Sequence, residues 1–246
     1  MSAFRLDLAY EGTAFKGWAR QPSLRTVESV LEEALATVLR EPVRLRVAGR
    51  TDAGVHALAQ VASFATTRAG VRPERLQLAL NALLPPDVAV SAVTPAEPRF
   101  DARAARSRTY RYRLWLPTVR PVHERAYVWD VRGRVEVALL EQAAAALVGE
   151  RDFAALTPSA RLYRSCVREV RRAGWTRGAN DAEWVFEINA GSFLHNMVRV
   201  AVGSMVDVAQ GRMTPARFES GLAGGERRAM GQTAPARGLA LVAVEY

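Results

Sequence analysis

The chain has 246 residues, of which 49% are hydrophobic and 24% charged, and its 34 Lys+Arg against 25 Asp+Glu give a formal net charge of +9. This composition excludes a disordered chain, because it supplies enough apolar side chains for a core, and the single cysteine excludes an internal disulfide framework. No stretch reaches the ~18–20 uncharged apolar residues of a membrane span, and Arg5 and Asp7 interrupt the first apolar stretch, unlike in a signal peptide. We therefore expect a cytoplasmic protein that does not enter a membrane.

In the first half of the chain, apolar residues recur with the periods of both strands and helices. Residues 4–10 alternate apolar and polar side chains, which predicts a half-buried strand. Residues 27–39 follow the spacing of an amphipathic helix that Thr26 caps and Pro42 stops. Further predicted elements are, in chain order, strands at 43–47 and 57–64, a helix from Pro73 to Pro85-Pro86, and a strand at 88–93.

The second half has a similar mixture of elements without an exact sequence repeat. The patterns predict, in chain order, a strand at 110–116, a helix at 139–148 that Gly149 ends, a strand at 183–190, a helix at 193–208, a short helix begun by Thr214-Pro215, and a strand at 239–246. Both halves therefore indicate an α+β fold with largely antiparallel sheets. The basic, alanine-rich stretch at 102–107 is the best boundary, which gives an N-terminal domain at 1–105 and a C-terminal domain at 106–246.

The positive charge is concentrated in one stretch. Between Arg99 and Arg134 the sequence has ten arginines against three acidic residues, so that 10 − 3 = +7 of the net +9 lies there, interleaved with Tyr and Trp. Arginines among aromatic residues are typical of a nucleic-acid surface, and the alternative is a solvated charged face. Lys16 is the only lysine, and this preference for arginine is open to a second explanation, a coding bias.

A loop bracketed by Gly49 and Gly54 carries Arg50, Thr51 and Asp52. Glycines allow a tight backbone and a close approach to a ligand. An aspartate in such a loop can act as a nucleophile, a general base, a metal ligand or a turn former. Composition alone favours the turn former, because Asp-Ala-Gly is common in loops.

Two other kinds of site are not expected from the sequence. The histidines, His56, His123 and His195, lack the spacing of metal ligands and Cys166 is isolated, so no metal site is predicted. Hydrolysis by a Ser-His-Asp triad is unsupported, since the chain has no Gly-x-Ser-x-Gly sequence.

Motifs along nearly the whole chain resemble those of one family. They are, in order, Tyr10–Thr13, Gly17-Trp18, Gly49–Ala57, Ala79–Pro85, Phe100–Arg103, Arg108–Tyr112, Asp152-Phe153, Phe193–Arg199, and Gly238-Leu239 through Tyr246. Each motif alone is weak, but the ordered set is similar to that of the tRNA pseudouridine synthase A family. The chain departs from the family pattern at Ala19, where glutamine is usual, and at Leu156, where an aromatic residue is more usual.

The resemblance implies a fold and an activity. The fold is the pseudouridine synthase fold, in which two α/β halves with mainly antiparallel sheets form a central cleft. The activity is isomerisation of uridine to pseudouridine at positions 38–40 in the anticodon stem-loop of tRNA, by a homodimer. Asp52 would be the essential aspartate, attacking C1′ of the ribose or C6 of the uracil, or acting through a glycal. No cofactor or metal would be required, since the reaction involves no redox change and loses no atom.

The resemblance also implies substrate-binding residues. Tyr110 would lie against the target uracil, and Arg199 would pair with the aspartate and keep it ionised. Leu239 would help to form the uracil pocket, and Arg50 would contact the RNA backbone. From periodicity alone, these residues are a strand-core tyrosine, a surface arginine on a helix, a strand-core leucine and a solvated loop arginine. We expect His56 to be structural.

Two other functions are compatible with the residues themselves. An RNA-binding module without catalysis needs only the basic-aromatic stretch, and for it Asp52 is dispensable. A nucleoside hydrolase could use a lone aspartate near a ribose, and it would release free uracil. For any activity on a stem nucleotide, the base must leave the stack at a cost that phosphate contacts offset.

Overall fold

The computed structural model describes residues 2–116 and 119–246. Contacts divide the chain into two compact units, one formed by Met1–Arg108 with Ala240–Tyr246 and the other by Thr109–Leu239. We call these unit 1 and unit 2 and describe each by itself. The last residues of the chain thus group with the N-terminal ones, whereas the domains proposed from the sequence, 1–105 and 106–246, follow chain order.

Strands and helices are mixed along the chain. They are β1 (Ser2–Tyr10), α1 (Val27–Leu39), β2 (Arg46–Val47), β3 (His56–Thr66), α2 (Pro73–Leu83), β4 (Val88–Ala96), β5 (Ser107–Trp115), β6 (Trp129–Asp130), α3 (Val137–Ala145), β7 (Gly149–Asp152), β8 (Val167–Arg177), β9 (Glu183–Ala190), α4 (Met197–Ala209), α5 (Pro215–Gly224) and β10 (Leu239–Glu245).

Unit 1 is built around β1, which lies between β3 and β4 and pairs antiparallel with both. Its alternate residues Phe4, Leu6, Leu8 and Tyr10 are buried, because successive side chains of a strand point to opposite faces of the sheet. On the other side of β3, β2 pairs antiparallel and β10 pairs parallel with it. The predicted alternation over 4–10 therefore marks the central strand of this unit.

Helix α1 begins where its capping residue predicts. The Thr26 side chain accepts a hydrogen bond from the Ser29 backbone, and the Ser29 side chain accepts one from the Thr26 backbone, which forms a capping box. The helix buries Val27, Leu31 and Leu35 and ends before Arg40, which adopts a left-handed conformation with φ 57°. The last helical residue, Leu39, is thus three positions before Pro42.

Unit 2 combines a sheet with three helices. The strand order is β5-β9-β8-β7, and β6 pairs parallel with β5. β8 pairs antiparallel with both β7 and β9. Helix α4 packs against α3 and α5, and every residue of α4 except Arg199 is buried. The helix is therefore a core element from which a single side chain reaches the surface.

The predicted fold class, α+β with mainly antiparallel sheets, is confirmed. Strands β6, β7 and β8 were not predicted. β8 lacks a period of two because its pairing with β9 shifts between Val170 and Arg172, as at a β-bulge, so Val170 and Trp175 are buried although five residues apart. The helix predicted at 193–208 starts later, at Met197, because Asn196 has a φ of 61°.

Candidate active site

Asp52 lies in the connection between the antiparallel strands β2 and β3 of unit 1. The Ala48 amide still donates to the Val61 carbonyl at 2.9 Å, so the chain leaves the sheet at Gly49 and rejoins it at His56. Within the connection, the Asp52 carbonyl accepts from the Val55 amide at 3.1 Å, and Gly54 has a φ of 79°. Residues 49–55, which we call the Asp52 loop, thus form a tight turn with a half-buried carboxylate at its bend.

A second loop packs directly against the Asp52 loop. The Trp18 amide donates to the Thr51 carbonyl at 3.0 Å, and the Gly54 amide donates to the Phe15 carbonyl at 3.3 Å. Gly17 has a φ of 93°, and a Cβ on it would lie 3.0 Å from the Thr51 carbonyl oxygen. Only glycine fits this approach without strain, so residues 12–18 hold one side of the Asp52 loop.

His56 fixes the start of that second loop. The Gly12 amide donates to His56 Nδ1 at 3.0 Å, and the imidazole is buried. The Glu11 carboxylate lies 3.5 Å from the same nitrogen. Because Nδ1 accepts the Gly12 bond it carries no proton, so we describe a hydrogen bond to a neutral ring rather than an ion pair. This arrangement agrees with the structural role expected of His56.

Buried polar side chains contact the other side of the Asp52 loop. The Tyr10 hydroxyl lies 2.8 Å from Thr51 Oγ1, and Gln60 Nε2 donates to the Gly49 carbonyl at 2.8 Å. Arg108 is also buried and donates twice to the Ala48 carbonyl, at 2.9 and 2.6 Å. The sequence predicts no role for Tyr10, Gln60 or Arg108, and the one signal for Gln60 is a polar residue within the apolar run at 57–64.

Arg50, which also has a predicted role, lies in the Asp52 loop and has an exposed side chain. It precedes the half-buried Asp52 by two residues. A cation on the outer surface of the loop can reach a phosphate without desolvation of a buried charge.

In unit 2, the guanidinium of Arg199 is held by two acceptors. Nε donates to the Ala234 carbonyl at 2.8 Å, and Nη1 donates to Asn196 Oδ1 at 2.8 Å. The side chain is half-buried and lies in the first turn of α4. These two bonds fix the plane of the guanidinium, since its donors form a rigid fork.

Residues 231–238, which we call the crossing segment, lie over α4. Its amides donate to Ser204 Oγ at 2.9 Å and to Asp207 Oδ2 at 3.1 Å, and the Tyr112 hydroxyl donates to its Pro235 carbonyl at 2.7 Å. Burial raises the pKa of Tyr112, so this hydroxyl stays protonated. A Cβ on Gly203 would lie 1.9 Å from a carbonyl oxygen of the segment, so the glycine permits the close packing.

The crossing segment leads into Leu239, and Tyr110 lies on β5 of the same unit. Both side chains are buried, and the Tyr110 ring packs edge-on against Phe193 with centroids 5.0 Å apart. The structure thus places Asp52 and Arg50 in one loop of unit 1, and Tyr110, Arg199 and Leu239 in unit 2.

The ten arginines between Arg99 and Arg134 are not one uniform surface. Arg108 is buried against backbone carbonyls, and Arg103 lowers the pKa of Asp101 to about 2 through its hydrogen bond. Five form ion pairs with carboxylates: Arg103, Arg111, Arg113, Arg132 and Arg134. Within the described part of the chain, the remaining four, Arg99, Arg106, Arg120 and Arg125, are exposed and have no carboxylate within 4.0 Å.

Two further properties concern the described residues as a set. Residues 2–116 and 119–246 contain no group of three or more His, Cys, Asp and Glu side chains that could hold a metal ion. None of the helices in these ranges combines the length and the apolar character needed to cross a membrane.

Comparison with known sequences gives one consistent family. The family model described as tRNA pseudouridine synthase matches residues 8–103 and 143–246. Among proteins named tRNA pseudouridine synthase A, one from Solidesulfovibrio magneticus is 45% identical and covers 100% of this chain and 92% of its own length. Those from Geotalea uraniireducens and Geobacter sulfurreducens are 40% and 39% identical, each covering 100% of both chains.

Among solved structures, a chain of the crystal structure of a Cbf5-Nop10-Gar1 complex aligns with 96% of this chain and 57% of its own length. It is 10% identical with a TM-score of 0.36, a likeness too weak to support any argument.

Proposed function

Since the chain belongs to the tRNA pseudouridine synthase family, we propose that it isomerises uridine to pseudouridine at positions 38–40 of the tRNA anticodon stem-loop, with Asp52 as the essential residue and no cofactor. Family membership supports the uridine isomerisation in tRNA. The observation that carries the role of Asp52 is its position: a half-buried carboxylate at the bend of a turn that loop 12–18 and buried polar side chains hold in place.

The chemistry requires a carboxylate and little else. The C1′–N1 bond breaks, the uracil turns, a C5–C1′ bond forms, the proton on C5 leaves and N1 gains a proton. No electron is transferred to or from the substrate, so no redox cofactor is needed. Three routes remain open to Asp52: attack on C1′, attack on C6, or removal of a ribose proton to give a glycal. Covalent attack divides one difficult exchange into two easier steps.

The other predicted site residues have complementary roles in this proposal. Tyr110, with its ring fixed against Phe193, lies against the uracil, and Leu239 gives the uracil pocket an apolar wall. Arg199 supplies a positive charge from a guanidinium that two acceptors hold in place. A fixed charge stabilises reacting groups without reorganisation at the moment of reaction. Arg50 contacts the RNA backbone from the exposed face of the loop.

The target nucleotide must be made accessible before it can react. A stem nucleotide must be extruded at a cost of a few kcal/mol, which contacts between exposed arginines and phosphates offset. We propose that four arginines make such contacts: Arg99, Arg106, Arg120 and Arg125. They are the exposed members of the basic stretch for which the described chain shows no ion pair. We further propose a cytoplasmic homodimer, as the resemblance to the family implies.

The decisive experiment compares wild type with Asp52→Asn on tRNA labelled with tritium at C5 of its uridines. Tritium released to water reports loss of the C5 proton, and mapping of pseudouridine reports the modified position. We expect Asp52→Asn to release no tritium and to bind tRNA as tightly as wild type. The matched control is Asp181→Asn, an exposed aspartate of unit 2 that pairs with Arg177, and it should be as active as wild type.

Each alternative has its own outcome in this experiment. Full activity of Asp52→Asn contradicts the role of the aspartate. Free uracil in the wild-type reaction identifies a hydrolase, and binding without any modification identifies an RNA-binding module. Pseudouridine formed only outside positions 38–40 contradicts the proposed target.

A further inference from the structure

Beneath the Asp52 loop lies a connected group of polar side chains that the family resemblance leaves without a role. Tyr10 of β1 is 5% exposed, Gln60 of β3 is 0% exposed, and Thr51 of the loop is 7% exposed. The Tyr10 hydroxyl lies 2.8 Å from Thr51 Oγ1, and Gln60 Nε2 donates to the Tyr10 hydroxyl at 3.2 Å and to the Gly49 carbonyl at 2.8 Å. A buried polar group costs free energy unless it is hydrogen-bonded, and these three side chains meet that requirement by bonding to one another and to the loop.

The hydrogen bonds of the Gln60 amide have directions that its chemistry fixes. The Gly49 carbonyl can only accept, so the nitrogen of the Gln60 amide faces it, and the amide oxygen accepts from the Val61 amide at 3.2 Å. The Tyr10 oxygen accepts from Gln60, and in the bond between Tyr10 and Thr51 either hydroxyl can donate. Burial raises the pKa of Tyr10 to about 12, so the hydroxyl remains a donor at neutral pH and is no proton acceptor for the reaction.

The group holds the chain at two positions just before Asp52. Gln60 holds the carbonyl of Gly49, three residues before Asp52, and Tyr10 holds the side chain of Thr51, the residue immediately before it. On the opposite side of the chain, the Thr51 carbonyl accepts from Trp18. With the side chain and the carbonyl of Thr51 both held, the backbone that carries the carboxylate has little freedom to rotate.

We propose that Tyr10 and Gln60 are positioning residues that orient the Asp52 carboxylate through Thr51 and Gly49. The proposal rests on the proposed function, because it assumes that Asp52 reacts. It gives one side chain each of β1 and β3 a role in positioning Asp52, in addition to their place in the core of unit 1. Misplacement of a reacting group by about 1 Å lowers rates by up to ~10²-fold, so the removal of a single hydrogen bond under the loop should be visible in kcat.

The first test is Tyr10→Phe, which removes one hydroxyl and keeps the ring that packs against Trp18 with centroids 6.0 Å apart. We expect kcat to fall by about tenfold or more, while KM and the Kd for tRNA stay within about twofold, since the buried hydroxyl does not bind RNA. The matched control is Tyr246→Phe. Tyr246 is also in unit 1, its pKa is also raised to about 12, and its hydroxyl donates to the Ala102 carbonyl at 2.9 Å rather than to a residue of the Asp52 loop.

A second pair of variants separates positioning from stability. Thr51→Val keeps the shape of the side chain and removes the hydroxyl that bonds to Tyr10, whereas Thr51→Ser keeps a hydroxyl there. We expect Thr51→Val to lower kcat as Tyr10→Phe does, and Thr51→Ser to restore it. This pair also decides the matter if Tyr10→Phe does not fold, and urea unfolding of each variant shows how much stability has changed.

The outcomes distinguish this proposal from the proposed function. If Asp52→Asn is fully active, the proposed function fails whatever Tyr10→Phe does. If Asp52→Asn is inactive but Tyr10→Phe keeps the kcat of wild type, the positioning role is wrong. Equal losses of kcat in Tyr10→Phe and Tyr246→Phe, a change confined to KM, or equal activity of Thr51→Val and Thr51→Ser would also overturn it.

Discussion

At the scale of single residues, the orientation of one predicted site residue is fixed by a backbone and a side-chain acceptor. Arg199 is the only residue of α4 that is not buried, and its guanidinium is directed by the Ala234 carbonyl and by Asn196 Oδ1. A surface arginine bound only by solvent would need neither acceptor. The two bonds fix the position of this charge, and its role in the reaction stays a proposal that a variant can test.

We predict that Arg199→Ala lowers kcat by about 100-fold while tRNA binding changes by less than about threefold, because the charge acts on the reacting groups rather than on the phosphates. Single-turnover assays at saturating tRNA and a filter-binding assay measure the two quantities. Arg217→Ala is the control, since Arg217 is an exposed arginine of α5 in the same unit. Equal losses of turnover and binding in Arg199→Ala would instead mean that Arg199 binds the RNA.

At the scale of elements, each unit has a glycine where two backbones approach closely beside a predicted site residue. Gly17 lets loop 12–18 reach the Asp52 loop, and Gly203 lets the crossing segment lie on α4. The crossing segment in turn supplies the Ala234 carbonyl that holds Arg199. A change at Gly203 should therefore affect stability and activity together.

We predict that Gly203→Ala destabilises the protein by about 1–3 kcal/mol through overpacking. Alanine gains about 1 kcal/mol in helix propensity over glycine, but a Cβ 1.9 Å from a backbone carbonyl oxygen cannot be accommodated without movement of the segment. Urea unfolding measures the change. Gly224→Ala in α5 is the control, because a Cβ there meets nothing within 4 Å, and it should be neutral or stabilising. A Gly203→Ala protein as stable as wild type would show that the segment is not held there.

At the scale of the whole molecule, the formal charge of the 99–134 stretch, +7 of the net +9, is larger than the positive charge that the stretch leaves without an acidic partner. Half of its ten arginines are engaged by carboxylates, and Arg108 is buried against the Ala48 carbonyl. A solvated charged face, the alternative interpretation of the stretch, stays open for the exposed members. The electrostatic contribution to RNA affinity should come from the four exposed arginines that remain.

We predict that tRNA affinity falls steeply with salt and that replacing Arg99, Arg106, Arg120 and Arg125 by Gln makes the dependence shallower. The slope of log K against log salt should change by about 0.7–0.9 for each phosphate that is no longer bound. The control replaces Arg72, Arg75, Arg161 and Arg164, four exposed arginines outside the stretch, and removes the same total charge. An equal change in both proteins would mean that net charge, and not this stretch, governs binding.

The sequence by itself determined what depends on near neighbours in the chain. The alternation at 4–10, the capping by Thr26 and the glycine-bracketed Asp52 loop are local patterns, and the structure has an element of the expected kind at each. The ordered motifs also indicated the family to which the chain belongs. The predicted roles of Asp52, Tyr110, Arg199, Leu239 and Arg50 stay predictions.

Only the tertiary structure decided which distant residues meet. Tyr10 reaches Thr51 across 41 positions and Gln60 across 50, and Arg108 reaches Ala48 across 60, so no periodicity in the sequence reveals these contacts. β8 also depends on a distant partner. Its register with β9 shifts between Val170 and Arg172, so its buried residues do not follow a period of two in the sequence. Periodicity records which face a residue presents, whereas hydrogen-bond partners depend on how strands and loops pack in three dimensions.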